Sequence, residues 1–428
     1  MIFLCGIYFS FKLGFIHLNF KEMFKSITKK NSNKDSISSF ESLTMSLAGR
    51  IGVGSLSGIA LAVYLGGPGV LFWIWLTSIL CATNAFAESV LAVVFRKKDS
   101  GNIYRGGPFY YIMDGLGNKK LAILYAFIIL VAYIGGFMTI QVNTMTKSIT
   151  DIFSIHPLII GIGISLLAGI TILGGVKKIA KITSKLVPFM TLLYFSFCIY
   201  IIATNNALIP QIFQDIFNSA FNFQAFGFGI LSTLLIGMQK GIFSSELGLG
   251  TGSIAAVTSD TDSAADNGIV QTFGIHFENI LIATITTFVI CLSNYQGLCL
   301  NDPNGIEITM FAFQTNIGNM GPILISIIIF LFGFSSIITG YYYGESSLKF
   351  IKKTTKLDIS ILKLITIVVL IIGSVISSNL LWNITDIMVG IIAIINIYAI
   401  FSLRHIVIDE YKHYKRNVRK KKSIKWII

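Results

Sequence analysis

Four glycines, Gly49, Gly52, Gly54 and Gly58, fall inside one apolar stretch, residues 40–65, and limit more than any other feature what this chain can become. Each costs a helix about 1 kcal/mol relative to Ala, so a continuous helix is not expected there. If the stretch lies in a membrane, its broken backbone leaves N–H and C=O groups that only protein or a water-filled cavity can satisfy. Such groups suit a small zwitterion and a cation: half-helix amides for a carboxylate, carbonyls for Na⁺. The competing reading is close helix packing, since Gly54 and Gly58 form a small-xxx-small pair. The rest of the chain decides between them.

The membrane is required by composition. Hydrophobic residues make up 54% and charged residues 12% of the 428, and mean hydropathy is +0.76. At about 20 residues per spanning helix, a chain of this length holds about ten or eleven spans. The net charge of +13 does not point to nucleic acid, because the basic residues lie between apolar runs and in the tail 404–428, where they set orientation and meet anionic lipid. The five cysteines show no metal or disulfide spacing. The first apolar run, 1–11, lacks a cleavage site and is too short to span; residues 1–20 read as a partial transmembrane helix, with an upstream extension expected to complete it.

Residues 21–39 read as a basic segment, its helical part lying in the interface. Spans are then expected at 40–65, 70–95, 121–147, 158–175, 187–203, 225–257, 268–292, 321–343, 361–376 and 384–403. Basic residues mark alternate connections: Arg96, Lys97, Lys98 and Arg105; Lys177, Lys178, Lys181 and Lys185; Lys349, Lys352, Lys353 and Lys356. The connections 204–224 and 293–320 have no Lys or Arg. Alternation of this kind places the basic loops and the C-terminus in the cytoplasm. Asp260, Asp262 and Asp266 fall in a cytoplasmic turn, which acidic residues do not forbid.

A second glycine-interrupted span, with Gly237, Gly241, Gly248, Gly250 and Gly252, is the sixth of the ten. Interruptions at matching places in two halves of five spans point to inverted repeats, 40–205 and 206–403, with a site at their interface. The second interruption is expected around Gly237 to Gly241.

Arg50-Ile51-Gly52-Val53-Gly54-Ser55, Gly66-Gly67-Pro68-Gly69 before Phe72-Trp73-Ile74-Trp75, Gly106-Gly107-Pro108-Phe109, and Gly241-Ile242-Phe243-Ser244-Ser245-Glu246-Leu247-Gly248 together resemble the alanine or glycine:cation symporters, the sodium:alanine symporter family. The resemblance covers nearly the whole chain. It implies an all-α, leucine-transporter-like fold in a prokaryotic plasma membrane and import of alanine, glycine or a similar amino acid by symport with Na⁺, or sometimes H⁺. The chain departs from the family at Val53 and Ser55, where a hydroxyl and an amide are usual, and at Ser245 and Leu247.

Within that frame, Arg50, Val53, Gly54, Ser55, Gln141, Gly241 and Phe243 are candidates for the amino acid. Ala48, Ile51, Ser335 and Ser336 are candidates for Na⁺, the two serines because hydroxyls of the eighth core helix often serve Na⁺ in leucine-transporter-like proteins. Glu246, an ionisable residue within a span, is either a hydrogen-bonding anchor or part of coupling. Arg50 could meet the substrate carboxylate, pair with Glu246 or stand in for an ion. Tyr341, Tyr342 and Tyr343 read as an interfacial belt. An H⁺-coupled or Na⁺-independent transporter is the alternative. An embedded enzyme or passive channel ranks below, since no HExxH or GxSxG occurs and a channel has no need of paired broken helices. No cofactor is expected beyond the coupling ion.

Overall fold

The computed structural model describes residues 1–28, 37–99, 101, 103–221, 229–261, 263–298 and 304–425. Asp262, Cys299, the end of the basic segment (29–36) and the expected start of the second broken span (222–228) lie outside these.

Nearly everything described is helical. The partial first helix, α1 (Ile2–Lys12), lies along α5 (Val70–Val94). Gly6 permits the approach, because a Cβ there would stand 2.5 Å from the Leu80 carbonyl oxygen. After α2 (Phe20–Ile27), the first core span breaks where its glycines predict. α3 (Ser39–Arg50), opened by a capping box between Ser38 and Glu41, ends at Ile51, and α4 (Ser57–Gly66) resumes at an angle of 61°.

The core continues with α5, α6 (Lys119–Phe153), α7 (Pro157–Ile172) and α8 (Gly175–Thr204). The sixth span follows as α10 (Gly229–Ser245) and α11 (Thr251–Ala256), after a peripheral helix, α9 (Ile209–Ala220). Then come α12 (Ala264–Cys291), a helix packed against α4, α13 (Gly305–Ile317), α14 (Gly321–Ile351), α15 (Lys356–Gly373), α16 (Ser378–Ser402) and the basic tail helix α17 (Arg404–Lys425). Among the described residues six helices are long and apolar enough to cross a membrane, and the bent pair α3 and α4 makes a seventh. The remaining expected spans, α7, α10 with α11, and α15, are shorter, interrupted or charged at one end.

Several local expectations change. Lys177, Lys178, Lys181 and Lys185 sit on the first turns of α8, not in a loop, so that span is longer than 187–203. The basic-poor connections carry α9 and α13. Tyr341, Tyr342 and Tyr343 form no interfacial belt: α14 runs on to Ile351, and all three rings are fully buried, Tyr343 edge-on to Tyr133 with ring centroids 4.9 Å apart.

The basic loop after α5 forms a two-residue hairpin, β1 (Lys97–Lys98) with β2 (Tyr104–Arg105). Its brace is Asp99, which accepts from the amides of Gly101 (2.9 Å) and Ile103 (3.0 Å) and from Arg105 Nε (3.0 Å). Partial burial opposes the charge, but these donors more than offset it and hold the carboxyl below its usual range. Arg105 continues to Ser346 Oγ (3.0 Å) and Glu345 (3.4 Å) on α14, tying the loop to the core.

Candidate functional site

The first break runs from Ile51 to Leu56. One short turn, Val53–Ser55, replaces α-helical bonding, with Ser55 N donating to Gly52 O at 3.1 Å. The amide of Val53, freed by the break, donates to Gln141 Oε1 on α6 at 2.9 Å. Ser336 Oγ on α14 donates to the carbonyl of Ala48 at 2.8 Å. Both contacts close on Gly52, where a Cβ would lie 2.5 Å from Ser336 Oγ and 2.8 Å from Gln141 Oε1; only glycine lets the two side chains in.

Gly54 faces the other broken helix. A Cβ there would stand 3.0 Å from a ring carbon of Phe243. Phe243 stacks on Phe137 (centroids 5.0 Å apart, 6° between planes), Phe137 stacks on Tyr133 (4.5 Å, 5°), and Trp382 closes on Phe243 from α16 at 4.9 Å. Beyond this wall lies a cavity of about 480 Å³ lined by Leu61, Gln239, Lys240, Trp382 and Asp386. Lys240 Nζ sits 3.3 Å from Asp386 and 4.7 Å from the Trp382 ring centroid, so an ion pair and a cation–π contact stand over the aromatic pair.

The second break lies elsewhere than expected. α10 runs unbroken through Gly237 and Gly241, which are packing positions: a Cβ at Gly237 would lie 2.7 Å from the Val70 carbonyl oxygen, and Gly241 faces Ile74. The chain opens instead over Glu246, Gly248 and Gly250, with φ of 53°, 76° and 77°. The left-handed Glu246 is held by its own carboxylate, which accepts from Tyr133 OH at 2.5 Å and from Thr251 Oγ1 at 3.0 Å. The carbonyls released by this break are capped from outside the helix: Tyr125 OH donates to Leu249 O, and Asn396 Nδ2 to Gly248 O at 2.9 Å. Asn396 also donates to Glu88 Oε1 at 2.7 Å and accepts from Tyr111 OH.

The structure thus brings Val53, Gly54, Gln141 and Phe243 to one place and sets Ala48 with Ser336 beside it. Ser335 turns to its own helix, donating to Phe332 O at 2.8 Å. Arg50 is buried between Gly252 and Gly274, where a Cβ at either would meet its guanidinium at 2.3 Å, and its Nη1 donates to Gln271 O at 3.3 Å. The Glu246 carboxylate is instead bonded by Tyr133 and Thr251, and no ion pair joins it to Arg50 among the described residues. Sequence reasoning passed over Glu278, on a π-helical turn of α12 (Phe277–Ile282), although the argument that singled out Glu246 applies equally to it.

The sequence profile of the sodium:alanine symporter family matches residues 1–426. The amino-acid carrier protein AlsT of Bacillus subtilis is 34% identical over 413 residues, covering 96% of this chain and 88% of its own. The sodium/alanine symporter AgcS of Methanococcus maripaludis is 33% identical over 430 residues, covering 98% and 94%. The probable sodium/glutamine symporter GlnT of Bacillus subtilis is 34% identical over 416 residues, covering 96% and 86%. Among solved structures, MhsT in complex with L-phenylalanine superposes with a TM-score of 0.58 at 12% identity, over 85% of this chain and 89% of that one. A Na⁺-coupled sialic acid symporter superposes at 0.56 and 15% identity, over 94% and 84%. At such identities the likeness shows the fold alone, which is leucine-transporter-like.

Proposed function

Because this chain belongs to the sodium:alanine symporter family, we propose that it imports a small neutral amino acid, alanine or glycine, by symport with Na⁺. The protein is a multi-pass membrane transporter and not an enzyme. The observation that supports the choice of substrate is the approach of Phe243 to Gly54: the two broken helices meet across a glycine, against a stacked aromatic wall that disfavours a large side chain.

In this reading the carboxylate of the amino acid takes the amides around Val53 to Ser55, displacing or sharing the Gln141 contact, and Phe243 with Trp382 closes over its side chain. Na⁺ takes the carbonyls of Ala48 and Ile51 with Ser336 Oγ. The residues present fit a hard monovalent cation, since all are oxygen donors and Ser336 already reaches Ala48. Residues 40–205 and 206–403 form two inverted repeats, each with its broken helix as its first span, and the basic loops and tail face the cytoplasm of a prokaryotic cell. Glu246 anchors the second break.

Uptake of radiolabelled alanine into proteoliposomes tests this. Accumulation above the external concentration only when a Na⁺ gradient is imposed is the expected result. Accumulation driven by a pH gradient without Na⁺ would replace Na⁺ by H⁺, and equilibration without accumulation would mean a channel.

A further inference from the structure

We propose that the end of α1, α2 and the tail helix α17 together form a headgroup site for one anionic phospholipid, drawn from the leaflet that the basic loops face. A general attraction of basic residues to that leaflet needs no site. Here the fold gathers particular lysines and particular rings at one place.

Segments from opposite ends of the sequence meet there. α1 stops at Lys12, and Gly14, at a φ of 62°, turns the chain toward α2. α17 packs back on the bundle through Val407 and Tyr411, both buried, and Tyr414 OH donates to Glu22 Oε1 on α2 at 2.8 Å. This anchoring carries Lys415 to the turn after α1. Its Nζ lies 3.7 Å from where a Cβ of Gly14 would stand, and 4.6 Å from the Tyr411 ring centroid.

The charges collected in this way are not balanced. Lys12, Lys21, Lys25 and Lys415 are all exposed, and none forms an ion pair among the described residues. The carboxylates that α2 meets are engaged with neutral groups: Glu22 accepts from Tyr414 and, at 3.1 Å, from Asn19 Nδ2, and Asp266 accepts from Ser26 Oγ at 3.1 Å. Like charges gathered on one patch repel one another, and an anion between them relieves that repulsion.

The rings beside the lysines identify the anion. Phe11 is 71% and Phe24 56% exposed, and Phe15 and Phe20 are exposed as well. Phe11 meets Phe15 edge-on at 5.3 Å, and Phe24 meets Phe273 of α12 at 5.4 Å. Met23 is buried against the bundle, so α2 turns its lysines and two rings outward. A water-soluble anion would use the lysines and leave the rings bare. A phospholipid uses both: its phosphate takes the ammonium groups and its acyl chains cover the rings. Bound there, it ties α17 to α1 and holds α1 on α5.

Native mass spectrometry and thermal melting of the delipidated full-length protein in detergent test the site. Dioleoylphosphatidylglycerol is expected to be retained and to raise the melting temperature, whereas dioleoylphosphatidylcholine does neither. Lys12→Gln and Lys415→Gln should each weaken the phosphatidylglycerol affinity about fivefold, and the two together roughly twenty-five-fold. Lys353→Gln, at an exposed position in the loop before α15, should leave it unchanged. Unchanged affinity in the double variant overturns the proposal. So does an equal effect of inorganic phosphate, which would make this a site for a free anion, or equal retention of phosphatidylcholine, which would make it a site for acyl chains alone. Neither Na⁺ nor amino acid enters these measurements, so the symport reading stands or falls separately.

Discussion

Tyr133 donates its phenolic hydrogen to Glu246 Oε1 at 2.5 Å, and through that bond α6 holds the residue at which the sixth core span leaves the helix. A non-glycine residue at a φ of 53° is strained, and its carboxylate, bonded on one oxygen by Tyr133 and on the other by Thr251, offsets the strain. Tyr133→Phe keeps the ring stack with Phe137 but leaves one buried carboxylate oxygen without its donor. A loss of about 1–3 kcal/mol is expected. It should appear as a lower melting temperature of the detergent-solubilised protein; an unchanged melt would mean that Glu246 is held by something else.

Asp99 gives a pH dependence. Its folded pKa is depressed, so its stabilising contribution is complete above the ordinary aspartate range and is lost as pH falls through the lower folded value. Wild type should therefore melt above Asp99→Asn at pH 7, and the gap should close as pH drops below the ordinary aspartate range. A gap that persists in acid would place the effect in hydrogen-bond geometry, not charge.

Topology can be read by thiol labelling. Cys5, Cys81 and Cys198 are buried, but Cys291 is partly exposed beside a cavity that also includes Ser219, so it and Cys299 are replaced first. In that background a cysteine at Ser219 should react with an impermeant maleimide applied to intact cells, and one at Ser184 should not. The reverse pattern would invert the orientation.

The two serines of α14 separate an ion ligand from a helix-bonded hydroxyl. Ser336→Ala deletes the group that reaches across to Ala48, whereas Ser335→Ala deletes one satisfied by Phe332. Apparent Na⁺ affinity should fall in Ser336→Ala by roughly tenfold or more and remain near wild type in Ser335→Ala. Equal effects would show that the pair acts through packing.

The first break was legible because its glycines stand in a span with nothing to compensate them. The second was misplaced for a reason that composition hides: Gly237 serves the close approach of α5 and Gly241 merely faces Ile74, while the turn is made by Glu246 with Gly248 and Gly250, and the Glu246 side chain holds it. Tyr341 to Tyr343 suggested a helix end because aromatic clusters favour interfaces, yet about two further turns of α14 carry Glu345 and Lys349 beyond them, and these meet at 2.6 Å. Long-range partners such as Lys240 with Asp386, or Asn396 with Glu88, leave no local spacing to read.

The last prediction concerns substrate size and rests on Gly54 and Phe243. A methyl group at Gly54 already stands 3.0 Å from the Phe243 ring, which can retreat little because Phe137 stacks behind it and Trp382 closes one side. Gly54→Ala is therefore expected to weaken alanine binding more than glycine binding, and Gly54→Leu to abolish both while the protein still inserts and stays monodisperse. Phe243→Ala removes the opposing wall and should admit larger side chains, so that glutamine competes with labelled alanine where it did not before. Combining Gly54→Leu with Phe243→Ala fills the space that the lost ring vacates and should recover part of the glycine binding. Normal alanine transport by Gly54→Leu would instead identify Gly54 as a packing residue and place the amino acid away from the first break.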